Sequence, residues 1–146
     1  MAWLLDTNVL SELRRPKPSP AVLAFFATYP LKDFYTSVVS LAEIRFGIDL
    51  VSDGNKKAQL FTWLDQQIRP MFASRILALD EETLVRWRQL VEEGRKIGHT
   101  FPQPDLLIAA TALQHKLTVV TRDKGGYAKT GVRLLDPWKT NRTSRQ

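Results

Sequence analysis

Cysteine is absent from the chain, and so is any apolar run long enough to cross a membrane. Without cysteine there can be no disulfide, no thiol nucleophile and no cysteine-ligated zinc site. A spanning helix needs roughly 20 consecutive apolar residues. The N-terminal apolar run turns polar at Asp6, too early for a secretory signal. We therefore expect a cytoplasmic protein with no membrane association.

What remains is an ordinary globular composition with an excess of basic residues. The 146 residues are 44% hydrophobic and 25% charged, which suits one domain with its own core. The net charge is +6, from 21 basic and 15 acidic residues. A basic surface favours binding to a polyanion such as RNA or DNA, or to an acidic protein partner.

Short apolar stretches alternate with helical patterns along the chain. Strands are predicted at 2–5, 34–37, 76–79, 117–121 and 132–135. Helices are predicted at 8–14, 21–28, 38–51, 56–68, 81–97 and 105–116, with Pro70 closing the fourth. Such alternation is typical of an α/β fold whose mostly parallel, doubly wound sheet is covered by helices on both faces. The domain is expected to span 1–138, followed by a basic, flexible tail at 139–146.

Two acids directly follow predicted strands, and two more lie near the start of predicted helices. Asp6 and Asp123 each end a strand, so both are expected at the edge where parallel strands end and catalytic groups collect. Glu43 lies in the first turns of the helix after the second strand, which puts it at the same edge. Asp105 opens a helix that precedes a strand, and we expect it at the opposite edge unless that helix crosses the sheet edge.

Some of these acids also have a purely structural interpretation. Asp6 or Thr7 could simply cap the helix that begins at Asn8. Ser40 and Glu43 have the capping-box spacing, in which the Glu side chain reaches back to a backbone N–H. The case for chemistry depends on whether the four acids meet at one edge of the sheet.

A cluster of four carboxylates needs protons, basic partners or a cation. Two unit charges about 4 Å apart repel by about 4 kcal/mol at an effective dielectric constant of about 20. Oxygen ligands without His or Cys suit Mg²⁺ or Mn²⁺, and water on such an ion can attack a phosphate whose charge the ion stabilises. An acidic metal pocket on a basic protein is therefore suited to hydrolysis of a nucleic-acid backbone.

Four segments of the chain, taken in order, resemble the four motifs of the PIN-domain ribonucleases. They are LDTNVL at 5–10, SLAEIRFG at 40–47, DLLIAATA at 105–112 and TRD at 121–123. The chain is similar in particular to the VapC-type toxins of bacterial toxin–antitoxin pairs, and among them to the FitB-like members, whose ending resembles DPW at 136–138. The similarity covers nearly the whole chain.

The resemblance implies a three-layer α/β/α PIN-like domain with a mostly parallel central sheet, which brings Asp105 to the edge where Asp6 lies. It implies an endoribonuclease dependent on Mg²⁺, for which Mn²⁺ can substitute. The catalytic and metal-ligating acids it implies are Asp6, Glu43, Asp105 and Asp123. It also implies RNA as substrate, a cognate small DNA-binding antitoxin of VapB or FitA type, a homodimer, and a hetero-oligomer of toxin with antitoxin.

The resemblance further implies that Thr7 and Thr121 are supporting hydroxyls. The chain departs from the family pattern near its fourth motif. Many relatives carry Asn at the position of Asp123 and a further Asp three residues later, where this chain has Gly126. Asp123 is therefore expected to supply the fourth carboxylate alone.

Other families that transfer phosphoryl groups, and one binding class, fit the sequence less well. A haloacid-dehalogenase-type phosphatase would need a second Asp two positions after Asp6, where Asn8 stands. A receiver domain would use Asp80 after the third strand, but that residue is expected to cap a helix. A non-enzymatic nucleic-acid-binding module would be expected to lack one or more of the four acids. His99 and His115 are expected to take no part in chemistry.

Overall fold

The computed structural model describes residues 1–139, and its centre is a five-stranded sheet in which every pair of neighbouring strands is parallel. The strands are β1 (Trp3–Leu5), β2 (Phe34–Ser37), β3 (Ile76–Leu77), β4 (Thr118–Val120) and β5 (Leu134–Leu135). Their order across the sheet is β3-β2-β1-β4-β5, with the first strand in the middle. The third and last strands are two residues shorter than the sequence predicts.

Helices cover both faces of this sheet. They are α1 (Thr7–Glu12), α2 (Pro20–Thr28), α3 (Val38–Asp49), α4 (Gly54–Trp63), α5 (Arg69–Phe72), α6 (Glu81–Lys96) and α7 (Gln103–His115). Alternation along β1 divides the core, because Trp3 and Leu5 join one apolar cluster while Leu4 joins another. The first cluster packs α2, α3 and α5 onto the sheet, and the second packs α6 and α7. The predicted three-layer α/β/α architecture is confirmed.

The register of β1 and β4 fixes which loops meet. Leu5 pairs with Val120, and the backbone N–H of Asp6 donates to the carbonyl of Val120 at 3.0 Å. The next residue after each strand is therefore Asp6 on one side and Thr121 on the other. Both side chains lie at the edge where the parallel strands end, which is where such sheets bind ligands.

The prediction that Pro70 closes the fourth helix is wrong. The chain stays helical through Pro70 to Phe72, by way of a π-helical turn at Leu64–Ile68. The N–H of Arg69 donates to Leu64, five residues back, so the ladder is shifted by one residue just before the proline. A π turn widens the helix and relieves the clash that proline makes with the preceding turn.

The capping-box interpretation of Ser40 and Glu43 is also wrong. The N-cap of α3 is Ser37, whose side chain accepts the backbone N–H of Ser40 at 3.2 Å. The helix begins at Val38, as predicted, directly where β2 ends, and its N-cap lies three residues before the predicted one. Glu43 lies in the second turn of α3 with its side chain exposed, so capping does not account for it.

No helix within residues 1–139 is long and apolar enough to cross a membrane. Of the predicted tail at 139–146, residues 140–146 lie outside the described residues.

Candidate active site

Asp6 lies in a cage of three hydrogen bonds and is only 5% exposed. Its Oδ1 accepts the backbone N–H of Thr7 at 2.7 Å. Its Oδ2 accepts the hydroxyls of Thr121 at 2.8 Å and Tyr127 at 2.9 Å. Burial raises the pKa of the Asp6 carboxyl above its ordinary value, and the three donors only partly offset that rise. Asp6 is also the N-cap of α1. It therefore caps a helix, as the structural interpretation predicts, and also belongs to the site.

Thr121 joins the loops that follow β1 and β4. Its Oγ1 accepts an N–H from the Asn8 side chain at 3.1 Å and the backbone N–H of Asp123 at 3.0 Å. The Asn8 carbonyl oxygen in turn accepts the backbone N–H of Arg122 at 3.2 Å. These bonds fix the position of the Asp6 loop relative to the Asp123 loop.

The expectation that Asp105 lies at the opposite edge is wrong. The end of α7, around Lys116, lies beside Met1 and Thr118, where strands β1 and β4 begin. The helix therefore runs antiparallel to the strand that follows it, as the helix of any βαβ crossover does, and it starts at the edge where strands end. Asp105, in its first turn, reaches the Asp6 edge without crossing the sheet edge.

The electrostatics of Asp105 reflect its acidic neighbours. Its pKa is raised from 3.8 to about 6, first by partial burial and then by the negative charges of Asp6, Asp123 and Glu43. Four acids, two from helices and two from the loops that follow β1 and β4, therefore share one region of the sheet edge. Asp6 is buried and Asp105 half-buried, whereas Glu43 and Asp123 are exposed at the rim.

Gly126 provides the space that the Asp105 side chain occupies. A Cβ built on Gly126 would lie 1.9 Å from Asp105 Oδ2 and 3.2 Å from Asp123 Oδ2. The backbone N–H of Gly126 donates to the other Asp123 oxygen, Oδ1, at 3.3 Å. The residue at which this chain departs from the family pattern is thus the one that lets two of the acids approach each other.

The charge of this cluster is not neutralised by basic side chains of the described residues. Their three ion pairs are Arg15–Glu12, Arg69–Asp65 and Arg95–Glu92, all elsewhere. The donors are oxygens only, which fits Mg²⁺ or Mn²⁺. Within 1–139, however, no group of three acids or histidines is already arranged so that it could hold a metal ion.

The two predicted supporting threonines differ in what they contribute. Thr121 donates its hydroxyl to Asp6, as a supporting residue would. The contact of Thr7 with Asp6 comes from its backbone N–H, which any residue type would supply. The histidines lie away from the acids: His99 packs edge-on against Phe101, and His115 ends α7.

Sequence reasoning missed two buried polar residues, and the first of them belongs to this site. Tyr127 reads as an apolar core residue, and nothing in its spacing points to Asp6, 121 positions away. Glu12 is 5% exposed and accepts the backbone N–H of Ser19 at 2.7 Å, which ties down the proline-rich connector after α1. No local signal points to Glu12, because prolines have no backbone N–H and the donor lies seven positions along the chain.

Comparison with known proteins gives one family. The family model described as PIN domain matches residues 3–132. Toxin FitB of Neisseria gonorrhoeae is 42% identical over 135 residues, covering 92% of this chain and 97% of that protein. VapC ribonuclease Y4jK of Sinorhizobium fredii is 32% identical over 136 residues, covering 93% of this chain and 97% of that protein.

Solved structures agree with the sequence comparison. The crystal structure of FitAcB from Neisseria gonorrhoeae superposes with a TM-score of 0.87 at 42% identity, covering 94% of this chain and 99% of that one. A structure of FitAB bound to an IR36 DNA fragment gives a TM-score of 0.85 at 40% identity, covering 93% and 95%. A crystal structure of DNA-bound VapBC from Salmonella typhimurium, at 20% identity and a TM-score of 0.73, covers 94% and 98% and shares the fold.

Proposed function

The chain belongs to the PIN domain family, and from that premise we propose that it is a metal-dependent endoribonuclease acting as the toxin of a bacterial toxin–antitoxin pair. The observation that carries the proposal is the group of four acids at one sheet edge, without basic partners among the described residues, on a chain of net charge +6. Its relatives include a protein named as a toxin and one named as a ribonuclease.

The four acids would perform two tasks, metal binding and activation of the attacking water. Asp6 and Asp105, the less exposed pair, would hold Mg²⁺ or Mn²⁺ together with Asp123 and Glu43. When bound, the ion would supply Lewis-acid stabilisation of phosphate charge and lower the pKa of water. Glu43 lies exposed at the rim, where it can accept a proton from the attacking water. Thr121 and Tyr127 keep Asp6 in one orientation throughout.

Arg122 offers a contact for the RNA backbone beside the acids. It follows Thr121 directly, its side chain is exposed, and its guanidinium carbon lies 4.7 Å from the centre of the Trp138 ring. Stacking on an aromatic ring fixes the plane of the guanidinium and leaves its N–H groups available for phosphate oxygens. Such a contact would orient RNA without reading its sequence.

The negative charges of the same four acids suggest how an antitoxin would inhibit the protein. The FitB relative was solved as FitAB with DNA, which supports a small DNA-binding partner for this chain as well. A basic side chain of that partner, placed among the four acids, would neutralise their repulsion and exclude the ion at the same time. Arg suits this role because its planar fork pairs with carboxylates bidentately. The assembly should hold two or more copies of each chain.

The direct test is cleavage of total RNA by Asp6→Asn in Mg²⁺ or Mn²⁺. This change removes one charge and keeps the side-chain shape, so circular dichroism should match the wild type while cleavage falls by at least about 100-fold. The matched control is Asp49→Asn, at an exposed acid in the last turn of α3. A folded Asp6→Asn protein that cleaves at the wild-type rate would refute the site. RNA binding without cleavage by the wild type would favour a binding module instead.

A further inference from the structure

Tyr127 places one polar atom inside an otherwise apolar cluster. The residue is 1% exposed and packs in the same cluster as Leu106, Ala109 and Ala110 of α7. Its hydroxyl donates to Asp6 Oδ2 at 2.9 Å. A phenylalanine would fill the same space, and a buried hydroxyl costs free energy unless it is hydrogen-bonded. The hydroxyl is therefore explained by its contact with Asp6 rather than by packing.

The direction of every hydrogen bond around Asp6 can be assigned. Thr121 Oγ1 already accepts two N–H groups, from Asn8 and Asp123, so its single proton goes to Asp6 Oδ2. Tyr127 donates to the same oxygen. An oxygen of a carboxylate has about two lone-pair sites, so Oδ2 is fully used by these two hydroxyls. Oδ1 accepts only the N–H of Thr7 and keeps one site open.

We propose that Tyr127 is a positioning residue for the metal ion: together with Thr121 it occupies Asp6 Oδ2, so that the ion is bound by Oδ1 alone. This inference rests on the proposed metal-dependent function. Outer partners of metal-binding carboxylates commonly set ligand orientation in this way.

The backbone around Tyr127 makes this positioning precise. One 3-10 turn, Lys124–Tyr127, is capped by Asp123 at its start and ends with Tyr127. The carbonyl of Tyr127 accepts the hydroxyl of Thr130 at 2.7 Å, which fixes the turn on its far side. The same short element thus presents one acid of the cluster and the hydroxyl that orients another.

The test compares the Mn²⁺ affinity of Tyr127→Phe with that of wild type in the absence of RNA. Electron paramagnetic resonance of the free ion measures the binding. Loss of the hydroxyl leaves Oδ2 with an open site and frees the carboxylate to rotate, so the dissociation constant for Mn²⁺ should rise by about 10-fold. With Mn²⁺ saturating, kcat for RNA cleavage should fall while KM for RNA stays the same. The control is Tyr35→Phe, a tyrosine of β2 packed against the same cluster.

A second measurement does not depend on a variant that must fold. The chain has three tyrosines, so protein labelled with 3-fluorotyrosine should give three ¹⁹F resonances. Titration with Mg²⁺ should shift the Tyr127 resonance more than those of Tyr29 and Tyr35.

Two results would overturn the inference, and they are distinguishable. Wild type that binds Mn²⁺, with Tyr127→Phe equal to it in affinity and kcat and with no selective ¹⁹F shift, would reduce the hydroxyl to a structural role and leave the proposed function standing. Wild type that neither binds Mn²⁺ nor cleaves RNA would overturn the proposed function and this inference together.

Discussion

Gly126 has no Cβ, and the positions of two acids in the site depend on that absence. The space that its missing Cβ leaves is filled by the tip of the Asp105 side chain. A carboxylate tip can move at little cost in stability, because it ends a rotatable side chain near the surface. A larger residue at 126 should therefore displace a proposed metal ligand without unfolding the protein.

We expect Gly126→Ala to weaken Mn²⁺ binding by about 10-fold while its denaturant midpoint stays near that of wild type. The matched control is Gly125→Ala, whose new Cβ would meet its nearest neighbour, Asp123 Oδ1, at 3.8 Å, an ordinary contact distance. Neither glycine needs a positive φ, so backbone strain does not separate the two variants. Equal Mn²⁺ affinity in both would show that Asp105 is not held where the ion binds.

At the scale of single residues, the acids could be predicted and their partners could not. Asp6 follows β1 directly and Asp123 lies three residues after β4, and those positions alone assign both acids to the functional edge. Tyr127 reaches Asp6 only through the pairing of β1 with β4 and a 3-10 turn after β4. Both are tertiary facts with no local signature, so a phenol in this sequence is indistinguishable from core packing.

At the scale of elements, two serines near the start of α3 differ in their hydrogen bonding. Ser37 caps the helix, while Ser40 Oγ is buried and has no hydrogen-bond partner among residues 1–139. Ser37→Ala should lower the free energy of unfolding by about 1 kcal/mol, the usual cost of a lost cap. Ser40→Ala should change it by less than about 0.5 kcal/mol or raise it, because it removes an unsatisfied polar atom. Denaturant unfolding gives both values, and the reverse order would restore the capping box.

Element boundaries were harder to predict than element types. Ser37 and Ser40 are both acceptable N-caps, and only the point at which β2 ends decides between them. Pro70 is a strong stop signal, but a π turn ahead of it lets the helix continue. The helix predicted at 105–116 leaves out Pro104, yet Pro104 lies in the first turn of α7, where the missing N–H of proline costs no helical hydrogen bond.

At the scale of the whole molecule, the ionised acid cluster lowers the free energy of unfolding of the metal-free protein. The pKa of Asp105 is raised from 3.8 to about 6 in the folded state, so the folded protein binds that proton more tightly than the unfolded chain does. The stability this provides is fully present below pH 3.8 and is lost as the pH rises through about 6. At neutral pH the folded, metal-free protein therefore contains a partly buried charge, repelled by the other acids, that the unfolded chain leaves in water.

Asp105→Asn mimics the protonated carboxyl and should remove this pH dependence. In protein stripped of metal, the variant should melt above wild type at pH 7, and the two should converge as the pH falls towards 4. Saturating Mn²⁺ should reverse the order at pH 7, because an ion that binds only the folded state stabilises wild type and lacks a ligand in the variant. Scanning calorimetry at several pH values measures this. Parallel curves for the two proteins at every pH would contradict the raised pKa.

The distance along the chain between the partners of Asp6 has a consequence for synthesis. Asp6 accepts hydrogen bonds from residues 115 and 121 positions later, and its strand lies between one made early and one made late. A ribosome adding roughly 5–20 residues per second has exposed Asp6 for on the order of ten seconds before Tyr127 is added. Until then Asp6 lacks the two hydroxyls that hold its Oδ2, and the Asp123 loop does not exist. A nascent or prematurely ended chain therefore lacks the proposed site, which is complete only when translation is almost finished.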